Sequence, residues 1–296
     1  MTRVSGSRGL TPARVREAIV TAAAELAEAG IDSARNDAEL LAADVAGAER
    51  GRLTLLDPPD AQFYARFRDA VAARAQRIPL QHITGTADFG PVRLKVGPGV
   101  FIPRPETEVL LEWARVQALP ADPVIVDLCT GSGALAIALA AGRPDARVIA
   151  VDDDAVALDY ARSNTSGTGV RLVDADVTDP DLLPDLVGAV DLLVANPPYI
   201  PVGAVLEPEV AEHDPAHALF GGPDGMAVIA PIVGRAVDLL RPSGLLAIEH
   251  DETRSVATVD TIRTTGAFID IEAHRDLAGR PRFVTARRAA RVETGQ

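Results

Sequence analysis

The chain has 296 residues, 47% of them hydrophobic, which exceeds one typical domain and supplies ample core, so one large and one small domain are expected. A formal net charge of −13 argues against a protein that clamps nucleic acid through its phosphates and leaves room only for a local basic face. The single cysteine, Cys129, cannot form an intramolecular disulfide, no apolar run reaches membrane-spanning length, and the N-terminus lacks the apolar core of a signal peptide, so a soluble cytoplasmic protein is expected.

Residues 1–9 carry no periodic pattern and read as frayed. Thr11-Pro12 is a capping residue followed by proline at the first helical position, and Val15, Ile19, Ala22, Ala23 and Leu26 then form a helical stripe that ends at Gly30. A second helix is expected over 37–46 with Leu40 and Leu41 inward, and a third over 60–77. This helical domain, residues 1–78, has no paired carboxylates and no His or Cys cluster, so it reads as packing or partner-binding surface. In 79–105 the pattern changes: Gly85, Gly90, Gly97 and Gly99 punctuate an alternation of Phe89, Val92, Leu94 and Val96, as in a β-hairpin linker. Arg104, held nearly extended between Pro103 and Pro105, serves either a substrate backbone or solvent. A helix over 106–117 follows.

From Val124 the pattern alternates strand and helix, which predicts a doubly wound parallel sheet in a domain of residues 106–296. The apolar strand Val124–Val126 ends at Asp127. Next, Cys129-Thr130-Gly131-Ser132-Gly133 opens a helix over 134–141, whose free N–H groups and glycines suit close approach of a polar ligand. Gly131-x-Gly133-x-x-Ala136 fits a dinucleotide turn equally well. A strand over 146–151 runs into Asp152, 19 residues beyond Gly133, where a carboxylate can bind both hydroxyls of a ribose; Asp153 or Asp154 better suits the cap of a helix over 155–163. A strand over 170–173 leads to Asp176, an acceptor for an adenine amino group, and to Val177, which offers apolar cover.

Val190–Ala195 is an apolar run of strand length that empties into Asn196-Pro197-Pro198-Tyr199. The prolines have no N–H and nearly fixed φ, so they hold Asn196 and Tyr199 in place and leave main-chain carbonyls unshared. The Asn196 side-chain oxygen and the Pro197 carbonyl can together accept both hydrogens of a planar –NH₂ group, with the Tyr199 ring beside them. A plain turn is the competing reading. The Pro-rich stretch to Gly225 is too long for an ordinary connection and reads as a substrate-facing loop; its Glu209, Glu212, His213, Asp214 and His217 match no common zinc spacing, so no metal is expected. A helix over 226–240, a turn at 242–244, a strand over 245–249 and a helix over 252–265 come next. Strands over 268–273 and 281–286, joined at Asp276–Arg280, give an antiparallel final strand, and Arg287, Arg288 and Arg291 form a solvated basic end.

Asn196-Pro197-Pro198-Tyr199 is similar to the catalytic motif of S-adenosylmethionine-dependent methyltransferases that act on planar amide or amino nitrogens. Together with Pro103-Arg104-Pro105-Glu106-Thr107-Glu108, Asp127–Gly133 and Asp214–Gly225, it makes the chain from about Arg77 to Phe283 resemble the release factor glutamine methyltransferase family. The resemblance implies a mostly parallel, seven-stranded class I methyltransferase sheet with an antiparallel last strand, behind a helical domain that helps engage the protein substrate. It implies methyl transfer from S-adenosylmethionine to the side-chain amide of the glutamine in the Gly-Gly-Gln motif of class I peptide chain release factors, without nucleic acid or membrane as partner. Asn196, Pro197 and Tyr199 are then catalytic. Asp127, Thr130, Gly131, Ser132, Gly133, Ala134, Asp152, Asp176, Val177 and Asn196 hold the cofactor, and Asn196, Pro197, Pro198, Tyr199, Arg104 and Glu106 hold the substrate. Val177 departs from the aromatic residue that often follows the aspartate, and His250 to Thr253 stand where the family usually carries Gly and Gln.

Because an amide nitrogen is a poor nucleophile and a sulfonium methyl a strong electrophile, orientation should dominate the rate, by up to roughly 7–11 kcal/mol. The competing readings are methylation of a ribosomal-protein glutamine, methylation of an exocyclic amino group of a nucleic acid base, a nicotinamide-dependent oxidoreductase built on the Gly131 turn, and a non-catalytic S-adenosylmethionine-binding adaptor. The acidic balance opposes the base methyltransferase, and the last two leave the Asn196 loop without a purpose.

Overall fold

The computed structural model describes residues 12–55 and 60–290; the segment 1–9, the Thr11 cap and Arg291 lie outside them. The chain divides into two units, Met1–Gly85 and Thr86–Gln296.

In the first unit, helices α1 (Pro12–Glu28), α2 (Ala34–Ala46), α3 (Ala61–Ala75) and α4 (Leu80–Thr84) enclose a core in which Val15, Ile19, Ala22 and Leu26 of α1 are buried. Asp60 caps α3, its Oδ1 accepting from the Phe63 N–H at 2.8 Å, a contact worth about 1 kcal/mol. α2 begins three residues before its expected start, because Asp37 is no terminal residue: it is buried and accepts from Arg74 Nε at 2.8 Å. Removing one partner of such a pair strands the other charge and costs about 3–5 kcal/mol. Leu41 is fully buried and Leu40 half-buried. α3 stops short of Arg77, whose φ of 65° ends the helix.

In the second unit, β1 (Thr86–Phe89) and β2 (Val92–Lys95) pair antiparallel about Gly90. The strands that the sequence set apart as a linker place Phe89 and Leu94 in the unit's core beside Leu110 and Leu111 of α5 (Glu108–Arg115). A short 3-10 turn, Pro105–Thr107, precedes α5 where one helix was expected. Then follow β3 (Val124–Leu128), α6 (Ala134–Gly142), β4 (Arg147–Asp152), α7 (Ala155–Asn164), β5 (Arg171–Asp174) and β6 (Val190–Ala195). The loop after β6 is not structureless, for it holds α8 (Pro208–His213) and α9 (Ala216–Leu219). The chain ends in α10 (Ile229–Leu239), β7 (Leu240–Glu249), α11 (Ser255–Thr264), β8 (Phe268–Arg275) and β9 (Pro281–Arg288).

The strands form one seven-stranded sheet in the order β5-β4-β3-β6-β7-β9-β8, all parallel except β9, which runs antiparallel to both neighbours. Period-two alternation divides the core: Val126, Leu128, Ile149, Val151, Leu193 and Ala195 pack on one face, and Ile125, Val148, Ala150, Leu192 and Val194 on the other. β6 is buried along its whole length. Its one polar residue, Asp191, accepts from the Val124 N–H at 2.8 Å and pairs with Arg241, so the strand is pinned at its start to β3 and β7. The expected turn at 242–244 lies inside β7 as a register shift, with Ser243 at φ 66°. α11 begins later than expected because Asp251 Oδ1 takes the Thr253 N–H in a local turn. No helix among the described residues is long and apolar enough to cross a membrane.

From β3 the chain turns to β4 on one side, and from β6 to β7 on the other, so the sheet's order reverses between two paired strands. A doubly wound sheet opens its binding crevice at such a point, beyond the carboxyl ends of the strands. Leu128 and Ala195 are register partners there, which sets the turn after Leu128 beside the loop after Ala195.

Candidate active site

A cavity of about 440 Å³ lies at that reversal. Of the residues expected from the sequence, Asp127, Thr130, Gly131, Ser132, Ala134, Asp152, Asp176, Val177, Asn196, Pro197, Pro198, Tyr199 and Arg104 all line it. Gly133 and Glu106 do not. Gly133, at φ 89°, forms the first step of α6, while Glu106 pairs with Arg280 at 3.7 Å.

The end of the cavity under β3 and β4 is prepared for a polar, partly cationic ligand. Asp127 is fully buried; its Oδ2 accepts from the Thr130 hydroxyl at 2.6 Å and the Ala136 N–H at 3.1 Å. Burial raises its pKa to about 7 against those two hydrogen bonds, and Oδ1 has no partner among the described residues. An orphaned acceptor in a buried site calls for a donor from a ligand. Asp152 accepts from the Gly131 N–H at 2.8 Å and from the Asp154 N–H at 3.0 Å, one bond to each oxygen, which fixes the carboxylate and leaves a further lone pair on each. Burial raises its pKa as well. Asp154, and not Asp153, caps α7, accepting from the Val156 and Ala157 N–H groups. Gly131, at φ 57°, has open space where a Cβ would stand, so the turn meets a ligand with bare backbone. Asp176 is exposed, and its backbone bond from Thr178 lowers its pKa; Val177 beside it is buried and apolar. Ribose hydroxyls, an adenine edge and an ammonium all find partners in this set, so the residues fit S-adenosylmethionine.

At the other end stands the Asn196 loop. Asn196 Nδ2 donates to the Thr107 hydroxyl at 3.1 Å. Pro197 is buried, and its carbonyl accepts no hydrogen bond among the described residues. The Tyr199 hydroxyl donates to Glu249 Oε1 at 3.0 Å; burial first, and then the Glu249 charge, raise its pKa, so the phenol stays neutral. The backbone of 198–200 is clamped from outside. Ile200 N–H donates to Leu219 at 2.8 Å and Gly221 N–H to Ile200 at 3.0 Å. A Cβ on Gly221 would collide with the Pro198 carbonyl and lie 3.0 Å from Tyr199 Cα, so only glycine allows this approach.

Residues 17–85 match the PrmC N-terminal domain and residues 94–213 the methyltransferase small domain. The chain is 64% identical over 278 residues to a release factor glutamine methyltransferase of Mycobacterium tuberculosis, an overlap covering 93% of this chain and 91% of that one. It is 64% identical over 278 residues to one from Mycolicibacterium smegmatis, covering 94% and 99%, and 46% identical over 276 residues to one from Streptomyces coelicolor, covering 92% and 97%. The chain belongs to the release factor glutamine methyltransferase family.

This member of the family is thus an α/β methyltransferase, and its structure supplies partners that spacing along the chain did not indicate. Arg104 lies over the Phe101 ring at 4.9 Å and pairs with the buried Asp214, which ties the Pro103–Glu106 segment to the loop after β6. His217 of α9 meets Asp153 at 2.8 Å, and both line the cavity. Thr107 and Glu249 touch the two ends of the Asn196–Tyr199 motif. The signal for Thr107 was its place in the Pro103–Glu108 motif. Glu249 had only its position at the end of an apolar strand.

Proposed function

We propose that this protein transfers the methyl group of S-adenosylmethionine to the side-chain amide nitrogen of the glutamine in the Gly-Gly-Gln motif of class I peptide chain release factors, in the cytoplasm. The observation that carries the reading is one cavity joining the Asp127–Ala134 turn to an Asn196-Pro197 acceptor pair. The names of the relatives support a release factor glutamine as the substrate, and the Gly-Gly-Gln setting is what the family resemblance implies.

In this reading Asp152 accepts from the ribose hydroxyls, Asp176 and Val177 hold the adenine, and Asp127 Oδ1 takes a donor from the cationic amino-acid end, beside Thr130, Gly131, Ser132 and Ala134. When bound, S-adenosylmethionine supplies an electrophilic sulfonium methyl. Asn196 Oδ1 and the Pro197 carbonyl accept the two N–H hydrogens of the acceptor amide, which orients its nitrogen and raises electron density on it. Tyr199 contributes its ring face, since its hydroxyl is engaged by Glu249. No strong base is required, because the methylated amide nitrogen loses its proton to water. Pro198 and Arg104 shape the entrance for the glycine-flanked glutamine, and the N-terminal helical unit engages the rest of the release factor.

The test is mass spectrometry of an intact release factor treated with enzyme and cofactor. One added methyl on the glutamine of Gly-Gly-Gln is expected. Label in DNA or in a ribosomal protein, with the release factor untouched, would overturn the assignment.

A further inference from the structure

Both ends of the Asn196-Pro197-Pro198-Tyr199 motif run back to the same pair of side chains. Asn196 Nδ2 donates to Thr107 Oγ1 at 3.1 Å, and the Tyr199 hydroxyl donates to Glu249 Oε1 at 3.0 Å. Thr107 is 4% exposed and Glu249 1%, so neither competes with bulk water for its partners.

An asparagine amide is nearly symmetric in shape, and a half-turn about its last bond exchanges oxygen for NH₂. For an acceptor role that half-turn is ruinous, since it would turn N–H groups toward the N–H groups of the substrate. The Thr107 hydroxyl cannot by itself prevent it, because a hydroxyl both donates and accepts and satisfies either orientation. The choice depends on where the single Thr107 proton goes. Glu249 decides this. Its Oε2 is a buried oxygen with no hydrogen bond of standard geometry among the described residues, and a carboxylate can only accept. The Thr107 hydroxyl stands near this carboxyl, as do the Tyr199 hydroxyl and the Arg282 charge, so the unpartnered oxygen is an acceptor within the same buried cluster. With its proton turned to Glu249, Thr107 presents only lone pairs to Asn196, which must then answer with NH₂.

We infer that Thr107 and Glu249 are positioning residues that lock the Asn196 side-chain amide with its NH₂ held by Thr107 and its oxygen left for the acceptor nitrogen. This rests on the acceptor role proposed above for Asn196. Tyr199 donates to one oxygen of Glu249, and in this inference the Thr107 proton turns to the other, so that one buried carboxylate sets the polarity of the motif from both sides.

The experiment is single-turnover methyl transfer to a release factor at saturating S-adenosylmethionine, with Thr107→Val, Thr107→Ser, Asn196→Ala and the double variant Thr107→Val/Asn196→Ala. Affinity for the demethylated product and thermal unfolding are followed alongside. Thr107→Val should lower the transfer rate roughly ten- to a hundred-fold, with product affinity within about two-fold of the unmodified enzyme. Thr107→Ser, which keeps the hydroxyl, should restore the rate to within about three-fold. In the Asn196→Ala background, Thr107→Val should have little further effect, because a residue that acts through Asn196 has nothing left to orient. Equal losses for Thr107→Val and Thr107→Ser would overturn the inference, as would additive losses in the double variant or an unchanged rate in Thr107→Val. An Asn196→Ala enzyme at full rate would instead overturn the underlying acceptor reading. Glu249→Gln gives a second arm: its amide can donate to Thr107, so the rate should fall with the protein still folded, and a rate equal to the unmodified enzyme would remove Glu249 from the proposal.

Discussion

His217 Nε2 stands 2.8 Å from Asp153 Oδ1, which joins the short helix after the Asn196 loop to the segment following β4. The Asp153 hydrogen bond, then the charges of Asp153, Asp152 and Asp154, raise the His217 pKa. The sign follows: the tie is complete below the ordinary histidine pKa and is lost as pH rises through the raised one. Since the side chains are 61% and 40% exposed, solvent screens the pair, and a contribution below about 1 kcal/mol is expected. His217→Gln should therefore weaken binding of the demethylated cofactor by no more than roughly five-fold at pH 6 and hardly at pH 9. Calorimetry across that range checks it, and a loss independent of pH would refute the tie.

Asp152→Ala should weaken the demethylated cofactor by about 2–3 kcal/mol, because it removes the proposed ribose acceptor and leaves the half-buried Gly131 N–H without its partner. Thermal stability of the free enzyme should fall in the same variant, since that N–H is unsatisfied whether or not ligand is present. Titration with NAD serves as the contrast, and tighter binding of NAD than of the demethylated product would contradict the cofactor assignment.

Asn196→Ala should cost the transfer step about 2–4 kcal/mol with little change in cofactor affinity, by analogy with loss of one preorganised contact. From the sequence alone, Asn196→Asp is expected to retain more activity, because it keeps an oxygen acceptor. The structure changes that ranking. The second carboxylate oxygen would stand where Nδ2 now donates to the Thr107 hydroxyl at 3.1 Å, so the donor that holds this side chain would be gone. Asn196→Asp should thus be no better than Asn196→Ala in single-turnover assays, and a clear advantage for Asp would show that Thr107 is free to donate toward it.

Glu249 should display a conflict between stability and activity. Burial raises its pKa from 4.5 to about 7, against the hydroxyls of Thr107 and Tyr199 and the charge of Arg282. A carboxyl with a raised folded-state pKa holds its proton more tightly when folded, so stability falls as pH climbs from the unfolded value to the folded one. At about 1.4 kcal/mol per unit the full cost is about 3 kcal/mol above pH 7. Relative to Glu249→Gln, the unmodified enzyme should lose stability between pH 5 and 8, read by denaturant unfolding at each pH. Over the same interval its transfer rate should rise as the carboxylate forms. A flat difference in stability would exclude a buried titration at this residue.

Apart from α8 and α9, the order of strands and helices in the second unit, the apolar strand before Asn196 and most of the residues that line the cavity were legible in the sequence. These are local matters: period-two alternation writes the sheet's two faces, glycine marks a turn that must come close to a ligand, and proline fixes the loop that follows β6. Boundaries failed where a side chain far along the chain decided them. Asp37 looks like the start of a helix until Arg74 meets it, and the 242–244 segment looks like a turn between elements until β7 carries it as a register shift against β6. The site's inner supports were illegible for the same reason. Thr107 reaches Asn196 across 89 residues, Tyr199 reaches Glu249 across 50, and Arg104 reaches Asp214 across 110. No periodicity or spacing encodes such contacts. They exist because the sheet reverses its strand order beside β3 and brings together the ends of strands and loops that the chain keeps apart.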